Sequence, residues 1–338
     1  MLPSQPLGRT GMQLSTVGLG AWAMGGPGWE AAWGPQEDAD SIATIVHAVE
    51  RGVNWVDTAP IYGRGHSEEV VGRALAALPA DDRPHVFTKC GLWWDDTDPM
   101  APPARDTRRI RREVEHSLTR LSVERIDLYQ VHWPPFDIPV EEYWPTMVAM
   151  RAEGKVRAIG VSNFDTAQLA EAEALGHVDS LQPPLSLLRR TAVDAEIPWC
   201  AANGTGVIVY SPLESGLLSG AFDAGRAGSL PASDWRATAP EFAGAALRRN
   251  LALVEALRPI AARHGVSVAA VAIAWTLAQP GVTGAIVGAR CPTQVDGWLP
   301  AARLALTADD LAEIDAAIVA RHGVAASDLG GIEQIGGS

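Results

Sequence analysis

Short apolar runs rich in β-branched residues alternate along this chain with amphipathic segments of about ten to fifteen residues. Eight of the runs have the length and composition of buried parallel strands, and they cover 16–23, 54–59, 85–90, 126–132, 156–162, 180–182, 207–211 and 284–288. Apolar runs separated by helical segments are typical of repeated βα units. The pattern therefore predicts an α/β protein with eight parallel strands.

The segments between these strands show helical periodicity. They predict helices at 37–51, 67–78, 106–121, 140–153, 166–175, 192–202 and 245–264, with extra helices towards the C-terminus at 268–279, 292–299 and 308–320. Eight βα units in one chain favour a closed (β/α)8 TIM barrel over two smaller domains. The irregular stretch 214–240 contains no charge block or repeat, so we interpret it as an elaborated βα loop. Residues 1–338 are thus predicted to form a single barrel domain.

The two ends of the chain are predicted to lie outside the barrel. Residues 1–15 contain the segment LGRTGMQLS, which predicts a hairpin cap turning at Thr10 and Gly11. The glycine-rich end, 322–338, is predicted to be a mobile tail.

Gly18, Gly20 and Ala23 match the GxGxxA fingerprint of dinucleotide-binding folds and follow an apolar strand. That fingerprint requires a helix to begin at once, so that its N-terminus can hold a pyrophosphate. Here the chain continues Met-Gly-Gly-Pro-Gly over 24–28, which does not start a helix. We therefore reject a Rossmann fold.

Composition restricts the partners of the protein. The chain is 47% hydrophobic, has a mean hydropathy of +0.03 and carries a formal charge of −13, which disfavours nucleic acid and anionic membranes as partners. The longest apolar run, 268–278, is too short to cross a bilayer, and the N-terminus lacks the apolar core of a secretory signal. Cys90, Cys200 and Cys291 match neither a disulfide framework nor a metal site. We expect a soluble cytoplasmic protein without a metal.

Candidate chemistry is concentrated where the predicted strands end. Asp57 ends NWVDTA, Lys89 ends HVFTK, His132 ends IDLYQVHW, and Tyr62 lies in the loop after the second strand. Lys89 is notable because only two of the 27 basic residues are lysine. Each residue alone has an ordinary structural explanation, but four of them at one mouth of a barrel indicate an active site.

These four side chains suit proton transfer to a carbonyl oxygen. An aspartate paired with Lys89 would keep the ammonium charged, and the ammonium would lower the pKa of Tyr62 so that it relays a proton. His132 could hydrogen-bond the substrate oxygen. The set indicates carbonyl reduction by hydride, in which a developing alkoxide is protonated.

Three segments resemble the aldo-keto reductases. They are GVNWVDTAPIYGRGHSEEVVGRAL, RIDLYQVHWPP and GKVRAIGVSNF, and the resemblance covers nearly the whole chain. It implies a (β/α)8 barrel in which Asp57, Tyr62, Lys89 and His132 form the catalytic tetrad, with Tyr62 as general acid.

The same resemblance implies a nicotinamide cofactor. Ser162, Asn163 and Gln182 would hold the carboxamide and Tyr210 would stack on the nicotinamide ring. The pyrophosphate would follow Ser211, Leu213, Ser215 and Leu217, and the adenosine end would contact Gly288, Arg290 and Gln294. Cys291 and Trp298 depart from the family pattern, yet Arg290 suits the 2′-phosphate, so NADPH is favoured and NADH stays possible.

Tryptophan indicates the kind of substrate. The chain has 12 tryptophans, and six of them follow strands or lie in loops at the face where substrate enters: Trp22, Trp29, Trp33, Trp93, Trp94 and Trp133. An aromatic rim favours a bulky, aromatic or ring-shaped carbonyl compound.

Three functions stay open on the sequence alone. The first is an NADPH-dependent reductase of aldehydes or ketones. The second is a dehydrogenase that oxidises a sugar or secondary alcohol at the same site. The third is a cofactor-sensing regulatory subunit, against which the complete tetrad argues. The oligomeric state is not predicted.

Overall fold

Strands and helices alternate along the chain as the hydrophobic pattern predicts. The structure is a computed structural model that describes residues 2–94, 97–98 and 100–323. Its described strands are β1 (Ser4–Pro6), β2 (Gln13–Ser15), β3 (Val17–Gly20), β4 (Trp55–Asp57), β5 (His85–Cys90), β6 (Leu92–Trp93), β7 (Ala104–Arg105), β8 (Ile126–Val131), β9 (Val156–Ser162), β10 (Ser180–Gln182), β11 (Gly206–Val209) and β12 (Gly284–Gly288).

Eight of these strands close into a parallel barrel, with neighbours in the order β3, β4, β5, β8, β9, β10, β11, β12 and β3 again. The described helices are α1 (Asp38–Glu50), α2 (His66–Ala77), α3 (Ile110–Leu121), α4 (Val140–Ala152), α5 (Thr166–Leu175), α6 (Glu196–Asn203), α7 (Ala224–Gly228), α8 (Gly244–His264), α9 (Val268–Leu277), α10 (Pro292–Trp298) and α11 (Ala308–Gly323). The predicted (β/α)8 barrel is confirmed.

Three predicted boundaries are wrong for local reasons. The first barrel strand ends at Gly20 because the chain then enters a 3-10 helix, Trp22–Gly25. The third barrel helix begins at Ile110 rather than 106, since the Asp106 carboxylate accepts the Arg108 backbone N–H in a turn. The helix predicted at 192–202 is divided, because Ala195 has non-helical angles of φ −136° and ψ −60° between a 3-10 turn and α6.

The barrel interior is apolar in its lower layer. Side chains of every second strand residue point inwards, and Trp55, Phe87, Leu128 and Ile286 belong to one buried cluster there. A Cβ at Gly18 would lie 2.2 Å from the Trp55 ring, and one at Gly20 would lie 2.8 Å from Ile286. The two glycines of the apparent dinucleotide fingerprint therefore make room for core side chains.

The N-terminal hairpin closes the bottom of the barrel. Strands β1 and β2 pair antiparallel, and Leu7, Met12 and Leu14 belong to the same buried cluster as the lower barrel layer. Thr10 and Gly11 lie in the connecting loop, as predicted. At the other end, α11 continues to Gly323, so the first two residues of the predicted tail are helical, while 324–338 lie outside the described residues.

Across the described residues, no single helix is long and apolar enough to span a membrane; α8 and α9 meet the length and composition test only as a pair bent by 92°.

Candidate active site

A cavity of about 680 Å³ lies at the C-terminal ends of the barrel strands. Most of the residues predicted for catalysis, cofactor and substrate line it: Trp22, Trp29, Trp33, Asp57, Tyr62, His132, Trp133, Ser162, Asn163, Gln182, Tyr210, Ser211, Leu213, Ser215, Gly288, Arg290 and Gln294. The ends of parallel strands meet at one face of a barrel, which explains why residues so distant in sequence converge.

Lys89 and Asp57 form a buried ion pair at the base of the cavity. Lys89 Nζ donates to Asp57 Oδ1 at 2.6 Å and to the Thr58 carbonyl at 2.9 Å, and Lys89 is fully buried. Gln182 Nε2 donates to Asp57 Oδ2 at 2.9 Å. Both carboxylate oxygens are therefore held by side chains from other strands, β5 and β10.

Burial disfavours the charged form of this lysine and so lowers the pKa of Lys89. The negative charge of Asp57 and the hydrogen bond to it oppose that effect. A buried charge needs such a partner, because the cost of leaving it unpaired in the core is several kcal/mol.

Tyr62 is positioned by a tight approach between two backbones. Gly63 has φ +62°, and a Cβ there would lie 1.9 Å from the carbonyl oxygen of Gly25 in the 3-10 helix after β3. The Ser67 hydroxyl also donates to the Ala21 carbonyl at 2.8 Å, which ties α2 to the same segment. The loop that carries Tyr62 is thus packed against the end of the first barrel strand.

The Tyr62 phenol is protonated at neutral pH. Its pKa is raised well above the ordinary value, first by burial and then by the negative charge of Asp57. The lowered pKa expected from the sequence is therefore not found, because burial and the charge of Asp57 dominate. Lys89 is paired with Asp57, and its Nζ lies 5.3 Å from the centroid of the Tyr62 ring.

His132 is neutral in this site. Its pKa is lowered well below the ordinary value by burial, and the positive charge of Lys89 adds to the effect. Its ring packs edge-on against Tyr62, with the two ring centroids 5.8 Å apart. A neutral imidazole next to a protonated phenol gives two hydrogen-bonding groups beside one point of the cavity.

The predicted carboxamide-binding residues form a hydrogen-bonded chain. The Tyr210 hydroxyl donates to Asn163 Oδ1 at 2.8 Å, and Asn163 Nδ2 donates to Ser162 Oγ at 3.0 Å. Ser162 Oγ donates to the Gln182 carbonyl at 2.7 Å. The Gln182 amide is fixed by its bond to Asp57, which leaves Oε1 and one amide N–H without an assigned partner in the described part of the chain.

Strained backbone is concentrated at the same cavity. Among the described non-glycine residues, Asn163, Ser211, Glu214 and Ser215 have φ between +42° and +63° and line it. Left-handed backbone at such residues costs about 1 kcal/mol or more each and is typical of functional sites. Ser211, Glu214 and Ser215 shape the loop after β11, where the pyrophosphate is predicted, and Asn163 lies just after β9.

Two loops build an aromatic wall over Tyr62. Trp22 stacks on Tyr62 with centroids 6.1 Å apart, and on Trp235 with centroids 5.8 Å apart. Trp33 packs edge-on against both Trp22 and Trp235. A backbone bridge between Trp33 and Asp234 joins the first βα loop to the long loop 214–240.

Trp235 is a site residue that the sequence analysis missed. The available signal was the composition of 214–240, in which Phe222, Arg226, Trp235 and Arg236 follow a barrel strand at the catalytic face. All four line the cavity.

Three predicted assignments are corrected by their positions. Trp93 and Trp94 are not among the residues that line the cavity. Trp94 packs against a buried cluster that contains Ile61 and Leu92, and Trp93 stacks on Trp94. Leu217 is 1% exposed and packs with Phe222 and Phe242 beneath the long loop, so its side chain does not reach the cavity.

Arg290 lies in the cavity wall, but its guanidinium supports the first βα loop. Nε donates to Gln36 Oε1 at 2.8 Å, Nη1 donates to the Trp33 carbonyl at 3.3 Å, and Nη2 donates to the Pro35 carbonyl. Three of its five N–H groups are therefore used within the protein.

The residues of the cavity fit a nicotinamide dinucleotide. Amide and hydroxyl groups of Ser162, Asn163 and Gln182 lie at one end. At the other end, Trp298 is 2% exposed, and its indole N–H has no hydrogen-bond partner in the described part of the chain. A buried donor of this kind normally has a partner, which a bound adenosine group would supply.

Comparisons with known proteins agree with this arrangement. Residues 16–319 match the profile of the Aldo/keto reductase family. The chain is 36% identical over 307 residues to aldo-keto reductase YhdN of Bacillus subtilis, covering 90% of each. It is 36% identical over 304 residues to the NADH-specific methylglyoxal reductase of Escherichia coli, covering 86% of this chain and 90% of that protein. The solved structure of a glycerol dehydrogenase from Gluconobacter oxydans has a TM-score of 0.83 and 39% identity, covering 95% of both chains.

Proposed function

Because the chain belongs to the aldo/keto reductase family and is an NAD(P)H-dependent carbonyl oxidoreductase, we propose that it reduces a bulky aldehyde or ketone to the alcohol with Tyr62 as general acid. The main support is one arrangement: a protonated Tyr62 lies beside both the buried Lys89–Asp57 pair and a neutral His132, at the base of a tryptophan-lined cavity.

In this proposal Tyr62 donates its proton to the carbonyl oxygen as negative charge develops there. A reduced nicotinamide held in this cavity would supply the hydride. The positive charge of Lys89 stabilises the phenolate that Tyr62 leaves behind, and Asp57 holds that ammonium in place. His132, being neutral, directs the carbonyl oxygen towards Tyr62 by a hydrogen bond. Trp22 and Trp235 cover the site and exclude water.

We propose NADPH as the preferred cofactor, with NADH as the alternative. Ser162, Asn163 and Gln182 would hold the carboxamide, Tyr210 the nicotinamide ring, and Ser211, Leu213 and Ser215 the pyrophosphate. Gly288, Arg290 and Gln294 would line the adenosine end. Arginines in the cavity wall support NADPH, whereas the NADH-specific relative at 36% identity supports the alternative.

The aromatic wall supports a bulky or ring-shaped substrate. Trp22, Trp29, Trp33, Trp133 and Trp235 line the cavity, and flat rings bind well against such surfaces. The methylglyoxal reductase and glycerol dehydrogenase relatives act, by their names, on small molecules. Small carbonyl compounds should therefore be assayed beside bulky ones to test the preference for a ring-shaped substrate.

A second candidate is oxidation of a polyol or secondary alcohol at the same site. The solved glycerol dehydrogenase, at 39% identity, is the observation that favours it. A purely cofactor-sensing subunit is the weakest of the three candidates, because such a protein would not need the complete tetrad.

An assay of purified protein separates these functions. Loss of reduced nicotinamide absorbance would be followed with an aryl aldehyde, a cyclic ketone and methylglyoxal, each with NADPH and with NADH. The reverse reaction would use glycerol and a cyclic alcohol with NADP⁺ and NAD⁺. We expect the highest kcat/KM for an aryl aldehyde or cyclic ketone with NADPH. Turnover confined to alcohol oxidation would favour the dehydrogenase, and no turnover with intact cofactor binding would favour the regulatory subunit.

A further inference from the structure

Three arginines stand together in one wall of the cavity, and two of them lie in the long loop that follows β11. They are Arg226, Arg236 and Arg290, here called the arginine cluster, and all three line the cavity. The pKa of Arg290 is lowered, first by burial and then by the positive charge of Arg236, with Arg226 also contributing. The positive charges of Arg236 and Arg226 therefore both act on Arg290.

Two members of the cluster use their guanidinium N–H groups in hydrogen bonds within the protein. Arg290 donates to the 33–36 loop, as described above. Arg236 is 5% exposed, pairs with Asp234 through Nη2 and Nε, and donates from Nη1 to the Ser215 carbonyl at 3.1 Å. Its guanidinium also lies 4.5 Å from the centroid of the Trp33 ring. Both arginines thus join loops.

Arg226 differs from the other two. Its guanidinium makes no hydrogen bond or ion pair within the described part of the chain, although its backbone is fixed by the Asp223 carboxylate, which accepts the Arg226 N–H at 2.7 Å. The guanidinium lies 5.9 Å from the centroid of Phe222, the same ring that Arg236 faces at 5.9 Å.

The platform beneath Arg226 is well anchored. Phe222 is 4% exposed and packs edge-on against Phe242 with centroids 5.3 Å apart, in a cluster that also contains Leu217. Arg226 itself is exposed at the edge of the cavity, where its backbone is fixed by Asp223 and its guanidinium lies beside this buried ring. Its hydrogen-bond donors are left for a ligand.

We propose that Arg226 binds a phosphate group of the dinucleotide cofactor, while Arg290 and Arg236 hold the two loops that surround that phosphate. This assignment rests on the proposed function. It moves the phosphate contact from Arg290, which the sequence favours, to a residue of the long loop.

The electrostatics of the chain support an anion here. The protein carries a formal charge of −13, so a dianionic phosphate is repelled by most of the surface. In the cluster, three guanidinium groups lie near two carboxylates, that of Asp234, which pairs with Arg236, and that of Asp223, which accepts the Arg226 backbone N–H. Arginine also matches phosphate geometry, since it donates parallel N–H bonds from a planar group.

Binding measurements on the whole protein test this assignment without relying on turnover. Dissociation constants for NADPH, NADH, 2′,5′-ADP and ADP would be measured by calorimetry on wild type, Arg226→Gln, Arg226→Lys and Arg290→Gln. Arg83→Gln is the matched control, because Arg83 is an exposed arginine that precedes β5 at the opposite end of the barrel. All measurements would share one stated ionic strength.

We expect Arg226→Gln to weaken NADPH binding about tenfold, Arg226→Lys to recover part of it, and Arg83→Gln to stay within twofold of wild type. Loss for NADPH and 2′,5′-ADP alone would assign the 2′-phosphate to Arg226. Loss for NADPH, NADH and ADP but not for 2′,5′-ADP would assign the second phosphate of the diphosphate, and equal loss for all four nucleotides would assign the 5′-phosphate that they share. Arg290→Gln should weaken NADPH and NADH equally and lower the Tm.

Unchanged affinity of Arg226→Gln for all four nucleotides would overturn the assignment of Arg226 while leaving the proposed function intact. A wild-type protein that binds neither NADPH nor NADH would instead overturn the proposed function.

Discussion

The base of the cavity and its aromatic wall are stabilised by different interactions. At the base, Lys89, Asp57 and Gln182 are at most 3% exposed and are joined by hydrogen bonds of 2.6 to 2.9 Å between three barrel strands. In the wall, Trp22, Trp33 and Trp235 come from two loops and meet through ring contacts with centroids 5.5 to 6.2 Å apart.

This difference separates the chemistry from the recognition of ligands. Directional bonds fix the buried charges that lie beside the proton donor, and losing one partner leaves a charge in the core. Ring contacts are less directional and contribute about 0.5 to 1.5 kcal/mol each beyond their buried area. We therefore expect changes at the base to abolish turnover and stability, and changes in the wall to alter selectivity.

Lys89→Met is the most severe test of the base of the cavity. The variant leaves Asp57 buried without its cation, so we expect the free energy of unfolding to fall by about 3 to 5 kcal/mol and turnover to be lost. Urea unfolding and steady-state rates measure both effects. Lys89→Arg is the control, and we expect it to be almost as inactive, because a planar guanidinium does not fit the buried space between Asp57 and the Tyr62 ring. An active arginine variant would show that only positive charge is needed.

Tyr62→Phe tests the proton donor without removing a charge. Cofactor affinity should stay within twofold of wild type, whereas kcat should fall at least about a hundredfold, because the phenol stabilises the transition state and not the ground state. Fluorescence titration with NADPH and steady-state kinetics give the two quantities. A variant that retains more than half of the wild-type kcat would contradict the tetrad.

Glu113 offers a smaller test, which concerns the hydrogen bond that holds the end of β5, the strand that carries Lys89. It lies on α3, is 6% exposed, and its Oε2 accepts the N–H of Gly91, just after β5. Burial raises its pKa to about 7, the bond from Gly91 opposes this, and the charge of Asp106 adds to it. A carboxyl with a raised pKa in the folded state stabilises the protein below its ordinary pKa, 4.5, and this stabilisation is lost as pH rises through 7.

Glu113→Gln removes that titration and keeps an acceptor for Gly91. Relative to the variant, wild type should lose about 2 kcal/mol of unfolding free energy between pH 4 and pH 6. Urea unfolding of both proteins at the two pH values measures this difference, and turnover should not change. Parallel stability curves would mean that Glu113 does not titrate in this range.

The same contrast explains which parts of the site were predictable from the sequence. Asp57, Lys89 and His132 follow directly from apolar runs, because a strand end in a parallel barrel has a defined location. Trp235 and Arg226 lie in a loop without periodicity, and only tertiary contacts bring them to the cavity. The direction of the Tyr62 pKa shift could not be predicted from the sequence either, since it depends on how deeply the phenol is buried and on the pairing of Lys89 with Asp57.

Trp235→Ala tests the wall and should have the smallest effect. Trp235 stacks on Trp22 and packs against Phe242 with centroids 5.9 Å apart, so its loss removes one face of the substrate cavity and leaves the tetrad untouched. We expect the KM for an aryl aldehyde to rise about tenfold, equivalent to about 1.4 kcal/mol, and that for methylglyoxal to change less than twofold. Trp93→Ala is the matched control, because Trp93 lies outside the cavity and should affect neither substrate. Equal losses for both aldehydes would mean that Trp235 holds the two loops together and does not select the substrate. The division of roles between the bottom of the cavity, which carries the chemistry, and the aromatic wall, which selects the substrate, would then be wrong.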